Sequence, residues 1–151
     1  RVQPPCGATL VIVGGDERLR QYRRDAVDMG GRVHVTGPRR DVDALLAAAD
    51  VVCVPSRQEA FGNVVLEACA AGVPVVTSRR VGAAELLQGL PGDLVVEDPE
   101  DVDALRAALV RALGDAWPQR SVAARTLAEA LPWDRHLDQL ERMLGEVAHA
   151  R

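Results

Sequence analysis

The sequence predicts an α/β domain, a Rossmann-like parallel sheet flanked by helices and followed by a helical C-terminal tail. Short apolar runs alternate with helical segments from residue 8 to residue 113, and strand followed by helix, repeated, specifies a parallel sheet with right-handed crossovers. Hydrophobic residues make up 48% of the chain and aromatics only 3%. The interior is therefore built from Val, Leu and Ala, which suits helices packed on a buried parallel sheet. A chain of 151 residues buries about two-thirds of its unfolded surface, enough for one core without staples. No internal repeat, low-complexity segment or interdomain linker is visible, so residues 1–151 read as one domain.

The strand-like runs are 8–13, 32–36, 51–54, 73–77 and 93–96, rich in Val and bounded by Gly, Pro and Asp. The helical segments between and after them are 16–28, 41–49, 63–71, 81–87 and 99–113. The third helix stops at Gly72 and Pro74, which cannot continue it. From Arg120 onward the pattern gives two further helices broken at Pro132. Leu131, Leu137, Leu140, Met143, Leu144 and Val147 give the second an apolar face, with Asp134, Arg135, Asp138, Glu141 and Arg142 around its exterior. The start, RVQPPCG, reads as a frayed lead-in.

Charge and cysteine usage exclude several classes. With 18 basic and 22 acidic residues the formal charge is −4, and no basic block dominates, which argues against a nucleic-acid surface. Cys6, Cys53 and Cys69 lack zinc-site or C-x-x-C spacing. Cys53 and Cys69 lie in apolar runs and read as small buried hydrophobes in a reducing compartment, and Cys6 as exposed. No apolar stretch reaches the roughly 18–20 residues needed to span a bilayer, and the start lacks the apolar core of a secretory signal. A cytoplasmic location is expected.

The segment PSRQEAFGNVVLEACAAGVP, residues 55–74, concentrates the candidate chemistry. Glu59 falls in the loop leaving a strand and Glu67 just over a turn inside the next helix, so both can face one crevice. Gly62 between them lets a ligand approach the backbone, and the free N–H groups of the helix start favour an anion such as a diphosphate. Glu accepts hydrogen bonds from hydroxyls while backbone amides take phosphate charge, a combination suited to a sugar nucleotide. The bland alternatives are an exposed loop Glu and a solvated helix Glu. The apolar neighbours Val64, Val65, Leu66 and Ala68 predict that Glu67 sits on a largely buried helix and needs a partner. In open sheets ligands bind beyond the carboxyl ends of the strands, where Gly14, Gly15, Gly37, Glu59 and Gly82 are expected to converge. Gly14 and Gly15 read either as a phosphate-binding turn or as a tight strand-to-helix turn, since the full G-x-G-x-x-G pattern is absent. Phe61 reads as loop packing, His34 as a satisfied structural histidine, and His136 and His149 as solvated. Arg39 and Arg40 either meet phosphate or stay solvated.

The 55–74 segment resembles the signature of retaining glycosyltransferases of the GT-B fold, family four, in a form close to lipopolysaccharide core glucosyltransferases. LVIVGG, RVHVTG, DVDALLAAADVVCVPS, GVPVVTS and LPWDRHLDQLERML resemble successive parts of that family's C-terminal, donor-binding domain, so nearly the whole chain is covered. The resemblance implies transfer of a hexose from a UDP-, GDP- or ADP-sugar to a glycan or lipid-linked acceptor, with retention. It implies that Glu59 contacts hydroxyls of the transferred sugar and that Glu67 holds the ribose hydroxyls. Phe61, Gly62 and Asn63 would orient sugar and phosphate, and Gly37 and Pro38 would meet the base. Glu85 matches a Glu often found after the family's Gly-rich loop, with Val81 where a first Gly is common. No cofactor and no metal is implied: no Asp-x-Asp pattern or His cluster offers ligands, and helix dipoles with basic groups take an ion's place. The resemblance also implies that the N-terminal acceptor domain, and a strand and helix at the N-terminal side of the donor domain, lie outside this sequence. The full-length enzyme is expected at the inner membrane face by peripheral association, and the isolated chain is expected to be inactive. A non-catalytic nucleotide-sugar or partner-docking module, and a fragment of a GT-B sugar-nucleotide epimerase, are the alternatives.

Overall fold

The computed structural model describes residues 7–149. The elements run β1 (Leu10–Val13), α1 (Leu19–Val27), β2 (Val33–Gly37), α2 (Val42–Ala47), β3 (Val52–Val54), α3 (Asn63–Ala70), β4 (Val75–Ser78), a 3-10 helix (Gly82–Leu87), β5 (Val95–Val96), α4 (Val102–Ala112), α5 (Trp117–Glu129) and α6 (Trp133–His149). The expected alternation is present, and every ladder between the named strands is parallel. Cys6 lies outside the described residues.

The strands form two sets, β1-β2 and β3-β4-β5, in place of one continuous sheet. β4 is paired on both sides and buried along its length. β1, β2, β3 and β5 each have one unpaired edge; on β1 and β3 burial fails at Leu10, Val11, Val13 and Cys53, which are exposed. Cys53 is thus not the buried hydrophobe that its apolar run predicts: it points away from the face on which Val52 and Val54 pack against the core.

The core is built around β4, whose successive side chains point to opposite faces. Val75 packs with Val65, Ala68 and Cys69 of α3 and with Ala124 of α5. Val76 packs on the other face with Leu105, Ala108 and Ala112 of α4. Hydroxyls at the end of β4 tie down the loop that leaves β3: Thr77 Oγ1 donates to Val54 O at 2.9 Å and Ser78 Oγ to Ser56 O at 2.7 Å. Both residues are fully buried, so these bonds are shielded from competing water.

Asp101 caps α4, its carboxylate accepting from the Ala104 N–H at 2.9 Å. Asp101→Ala should cost about 1 kcal/mol, or roughly 2–4 °C in a thermal melt; no shift would mean that water replaces the cap without loss. The two tail helices fall on either side of Pro132 as expected, but Leu131 lies before the proline and outside α6, and the apolar side chains of α6, including Leu137, Leu140, Leu144 and Val147, are exposed. Among the described residues no helix is long and apolar enough to cross a membrane.

Burial pushes the Cys69 thiol up to about 11. Cys53 is open to solvent by accessible area, yet enough protein surrounds it to raise its thiol to about 11 as well. Contact with a reagent depends on access, so accessibility decides between them. A thiol reagent on the native chain at pH 8 should modify Cys53 at least tenfold faster than Cys69; equal rates read by peptide mapping would contradict the outward placement of Cys53.

Candidate functional site

The predicted site residues gather at the carboxyl ends of the strands, in two groups. The first joins the ends of β1 and β2. The Gly14 N–H donates to Gly37 O at 2.9 Å, and Thr36 Oγ1 donates to Gly37 O at 2.8 Å. Both glycines have positive φ, 95° and 81°, so the turns after the two strands use a conformation that L side chains rarely adopt. Gly37 is buried, while Gly15 and Pro38 are exposed. Arg23, from α1, reaches over this end with Nη2 3.4 Å from Thr36 O.

The second group joins the loop after β3 to the segment after β4. The Glu59 N–H donates to Arg80 O and the Gly82 N–H to Glu59 O, both at 3.1 Å, and the Ala83 N–H donates to Phe61 O at 2.8 Å. Residues 59 and 81 thereby form a parallel bridge. Gly82 makes this lacing possible, since a Cβ there would stand 2.3 Å from Ala60 O. Gly62 is the N-cap of α3 at φ 88°, and Val65 N–H donates to its carbonyl at 2.9 Å. The amides of Asn63 and Val64 have no acceptor among the described residues, so the start of α3 presents free N–H groups beside Glu59. Among the described residues no hydrogen bond joins this group to the first.

The carboxylates differ from expectation in one respect. Glu67 is exposed, because α3 buries Val65, Ala68 and Cys69 and turns Glu67 away from that face. It needs no internal partner, contrary to the inference from its apolar neighbours. Glu59 and Glu85 are exposed too, and none of the three has a side-chain hydrogen bond or ion pair among the described residues. Phe61 is 43% exposed, so it does not pack under its loop and is open to a ligand. His34 is exposed and has no side-chain partner among the described residues, so it is not the satisfied histidine expected. His136 is exposed as predicted, and stands edge-on to Trp133 at 5.8 Å between ring centroids. The side chain of His149 lies outside the described residues.

Three arginines near these loops, Arg57, Arg79 and Arg80, went unread in the sequence. Arg79 Nε donates to Glu97 Oε1 at 2.7 Å, and this bond holds the Glu97 carboxyl below its usual range. Arg57 pairs with Glu100 at 2.8 Å. Arg80 is exposed and has no side-chain partner among the described residues. Arg39 is taken by Asp41, with Nε 2.7 Å from Oδ1, and the hydrogen bond lowers the Asp41 pKa. The two Asp-Val-Asp runs, at 41–43 and 101–103, stand at helix starts, where Asp41 binds Arg39 and Asp101 caps α4. Among the described residues no three His, Cys, Asp or Glu side chains gather as metal ligands.

A cavity of about 30 Å³ lies at the opposite ends of the strands, between Pro74 and Val75 of the β4 entry and Arg120 and Ala124 of α5. It has room for about one water molecule and none for a nucleotide. The candidate site is accordingly the open strand-end surface.

The glycosyl transferases group 1 family matches residues 1–115. The chain belongs to this family. It is 37% identical over 107 residues to the lipopolysaccharide glucosyltransferase WaaG of Escherichia coli, covering 70% of this chain and 29% of that protein. It is 40% identical over 126 residues to the GDP-mannose-dependent alpha-(1-6)-phosphatidylinositol monomannoside mannosyltransferase of Mycolicibacterium smegmatis, covering 76% and 32%. The chain therefore spans about a third of the length of these curated relatives. Among solved structures, the sucrose-phosphate synthase of Thermosynechococcus elongatus superimposes with a TM-score of 0.79 at 29% identity, over 95% of this chain and 39% of the other. The fold is that of the C-terminal domain of GT-B enzymes.

Proposed function

We propose that the chain binds the donor of a retaining glycosyltransferase, a UDP-, GDP- or ADP-hexose, for transfer to a glycan or lipid-linked acceptor. The observation that carries this reading is the second strand-end group. An exposed, unpaired Glu59, the bare Cα of Gly62 and the acceptor-free amides of Asn63 and Val64 stand together, with Glu67 one turn further along the same helix. In this reading Glu59 binds hydroxyls of the transferred hexose and Glu67 the ribose hydroxyls. Phe61, Gly62 and Asn63 orient the sugar and the diphosphate, and the helix start stabilises leaving-group charge as it develops. Gly37 and Pro38 contact the base. Gly14 and Gly15 border the nucleotide, and Glu85 the sugar.

The same reading assigns the acceptor domain, and a further strand and helix of the donor domain, to polypeptide outside this sequence. The unpaired edges of β1 and β3 and the exposed apolar side of α6 are surfaces suited to receive those parts. The full enzyme would then work on the cytoplasmic side, at the membrane. Calorimetric titration of the purified chain with UDP, GDP, ADP and their glucose and mannose conjugates tests the donor site. Selective binding of one nucleotide and its conjugate is expected, with no sugar transfer by the chain alone. A folded chain that binds none of them would sink the donor reading, and robust transfer would sink the assignment of the acceptor half.

A further inference from the structure

We propose that Val81 is a positioning residue that sets where Glu59 stands, and so how firmly the site holds a hexose; this rests on the donor-binding reading. Val81 is 1% exposed and pairs in parallel with Glu59. Residues on both sides of Val81 hold the Glu59 backbone, Arg80 by its carbonyl and Gly82 by its N–H. Gly62 lies against both side chains of the pair. A Cβ on Gly62 would stand 2.8 Å from Val81 Cγ1 and 3.2 Å from Glu59 Cγ. The bare Cα is thus wedged between a buried β-branched side chain, stiff at χ1, and the stem of the exposed carboxylate. Gly62 is also the N-cap of α3 at φ 88°, and that helix is anchored separately by Val65, Ala68 and Cys69.

Truncating Val81 removes the wall against which Gly62 rests. Without that wall the 59–62 loop is freer to shift, since Gly62 within it restrains φ and ψ least. Contacts made through Glu59 should loosen first. Contacts made by Glu67, a turn inside α3, and by Gly37 and Pro38 lie further from the wedge and should persist. Plain packing is the competing account, since Val81 also belongs to the core cluster with Val65, Ala83 and Leu87. Packing alone lowers stability without separating sugar from nucleotide.

The test is calorimetry of wild type, Val81→Ala and Val81→Gly with UDP and UDP-glucose, or with whichever nucleotide pair the wild type prefers, each variant paired with a thermal melt. The expected result is that Val81→Gly, which places the residue common in the family but removes the side chain against which this chain's loop is packed, abolishes most of the extra affinity for the hexose conjugate, about tenfold as for a lost charge-assisted hydrogen bond, while the bare nucleotide binds within about twofold of wild type. Val81→Ala, which keeps part of the wall and is the safer variant for folding, should fall between. Equal weakening of nucleotide and conjugate in both variants, or no weakening, overturns the positioning role while leaving the donor reading intact. A wild-type chain that binds no nucleotide removes the donor reading and this role with it.

Discussion

One added methyl group at Gly82 should lower the melting temperature by about 4–12 °C, from a cost of about 2–3 kcal/mol for overpacking at roughly 2–4 °C per kcal/mol in a chain of this size. The new Cβ would meet Ala60 O at 2.3 Å, and Ala60 C and Phe61 Cα at 3.2 Å. All three are backbone atoms, which have no rotamer through which to escape. Relief requires residues 60–61 to move off the 82–83 segment, and that breaks the Gly82-to-Glu59 and Ala83-to-Phe61 hydrogen bonds. Gly72→Ala has a different cost: its Cβ would stand 2.9 Å from Arg125 Nη2, the far end of a flexible side chain that can swing away, so its main cost is backbone strain at φ 75°, about 1 kcal/mol. Gly89→Ala isolates backbone strain, since φ is 85° with nothing within 4 Å, at about 1 kcal/mol. A fall for Gly82→Ala no greater than for Gly89→Ala would mean that the two loops are not laced as described.

The order of elements was legible because each rests on local chemistry. Val-rich runs with Gly or Pro at one flank became β1 to β5, and Pro132 divided α5 from α6. What failed was what a one-dimensional pattern does not carry. The run VVLEACA is apolar nearly all round, so it could not reveal that Val65, Ala68 and Cys69 face inward while Glu67 faces out. Val51–Val54 reads as any buried strand, and only the pairing shows that β3 is an edge with Cys53 exposed. Residues 81–87 have the composition of an α-helix; the backbone instead takes a 3-10 turn over Gly82–Leu87, beginning where Ala83 N–H is committed to Phe61 O. In the site, Glu59 and Gly62 were readable as a loop carboxylate and a glycine before a helix. The lacing of 59–61 to 80–83 was not, because it is made by backbone groups far apart in sequence and leaves no side-chain pattern, apart from the requirement for glycine at 82.

If Glu59 and Glu67 divide the donor as proposed, their alanine variants should fail differently. Glu67→Ala should weaken the bare nucleoside diphosphate and its hexose conjugate alike, by roughly tenfold to a hundredfold, the range for hydrogen bonds to a charged group at about 1.5–3 kcal/mol. Glu59→Ala should leave the bare nucleotide unchanged and remove the conjugate's additional affinity. The split is interpretable because neither carboxylate has an internal partner among the described residues and both are exposed, so each truncation should change stability by no more than about 0.5 kcal/mol. Affinity lost without a change in melting temperature therefore reports the ligand, not the fold. The two carboxylates are also placed by different means. Glu59 is held by its backbone to the segment after β4, so its carboxylate is positioned by a rigid lacing; Glu67 is positioned by the helix that Val65, Ala68 and Cys69 anchor to the core. Two supports of independent origin should give two separable losses. Calorimetric constants showing that both variants weaken nucleotide and conjugate in the same proportion would mean that the carboxylates act on one part of the ligand, and the assignment of sugar to Glu59 and ribose to Glu67 would have to be abandoned.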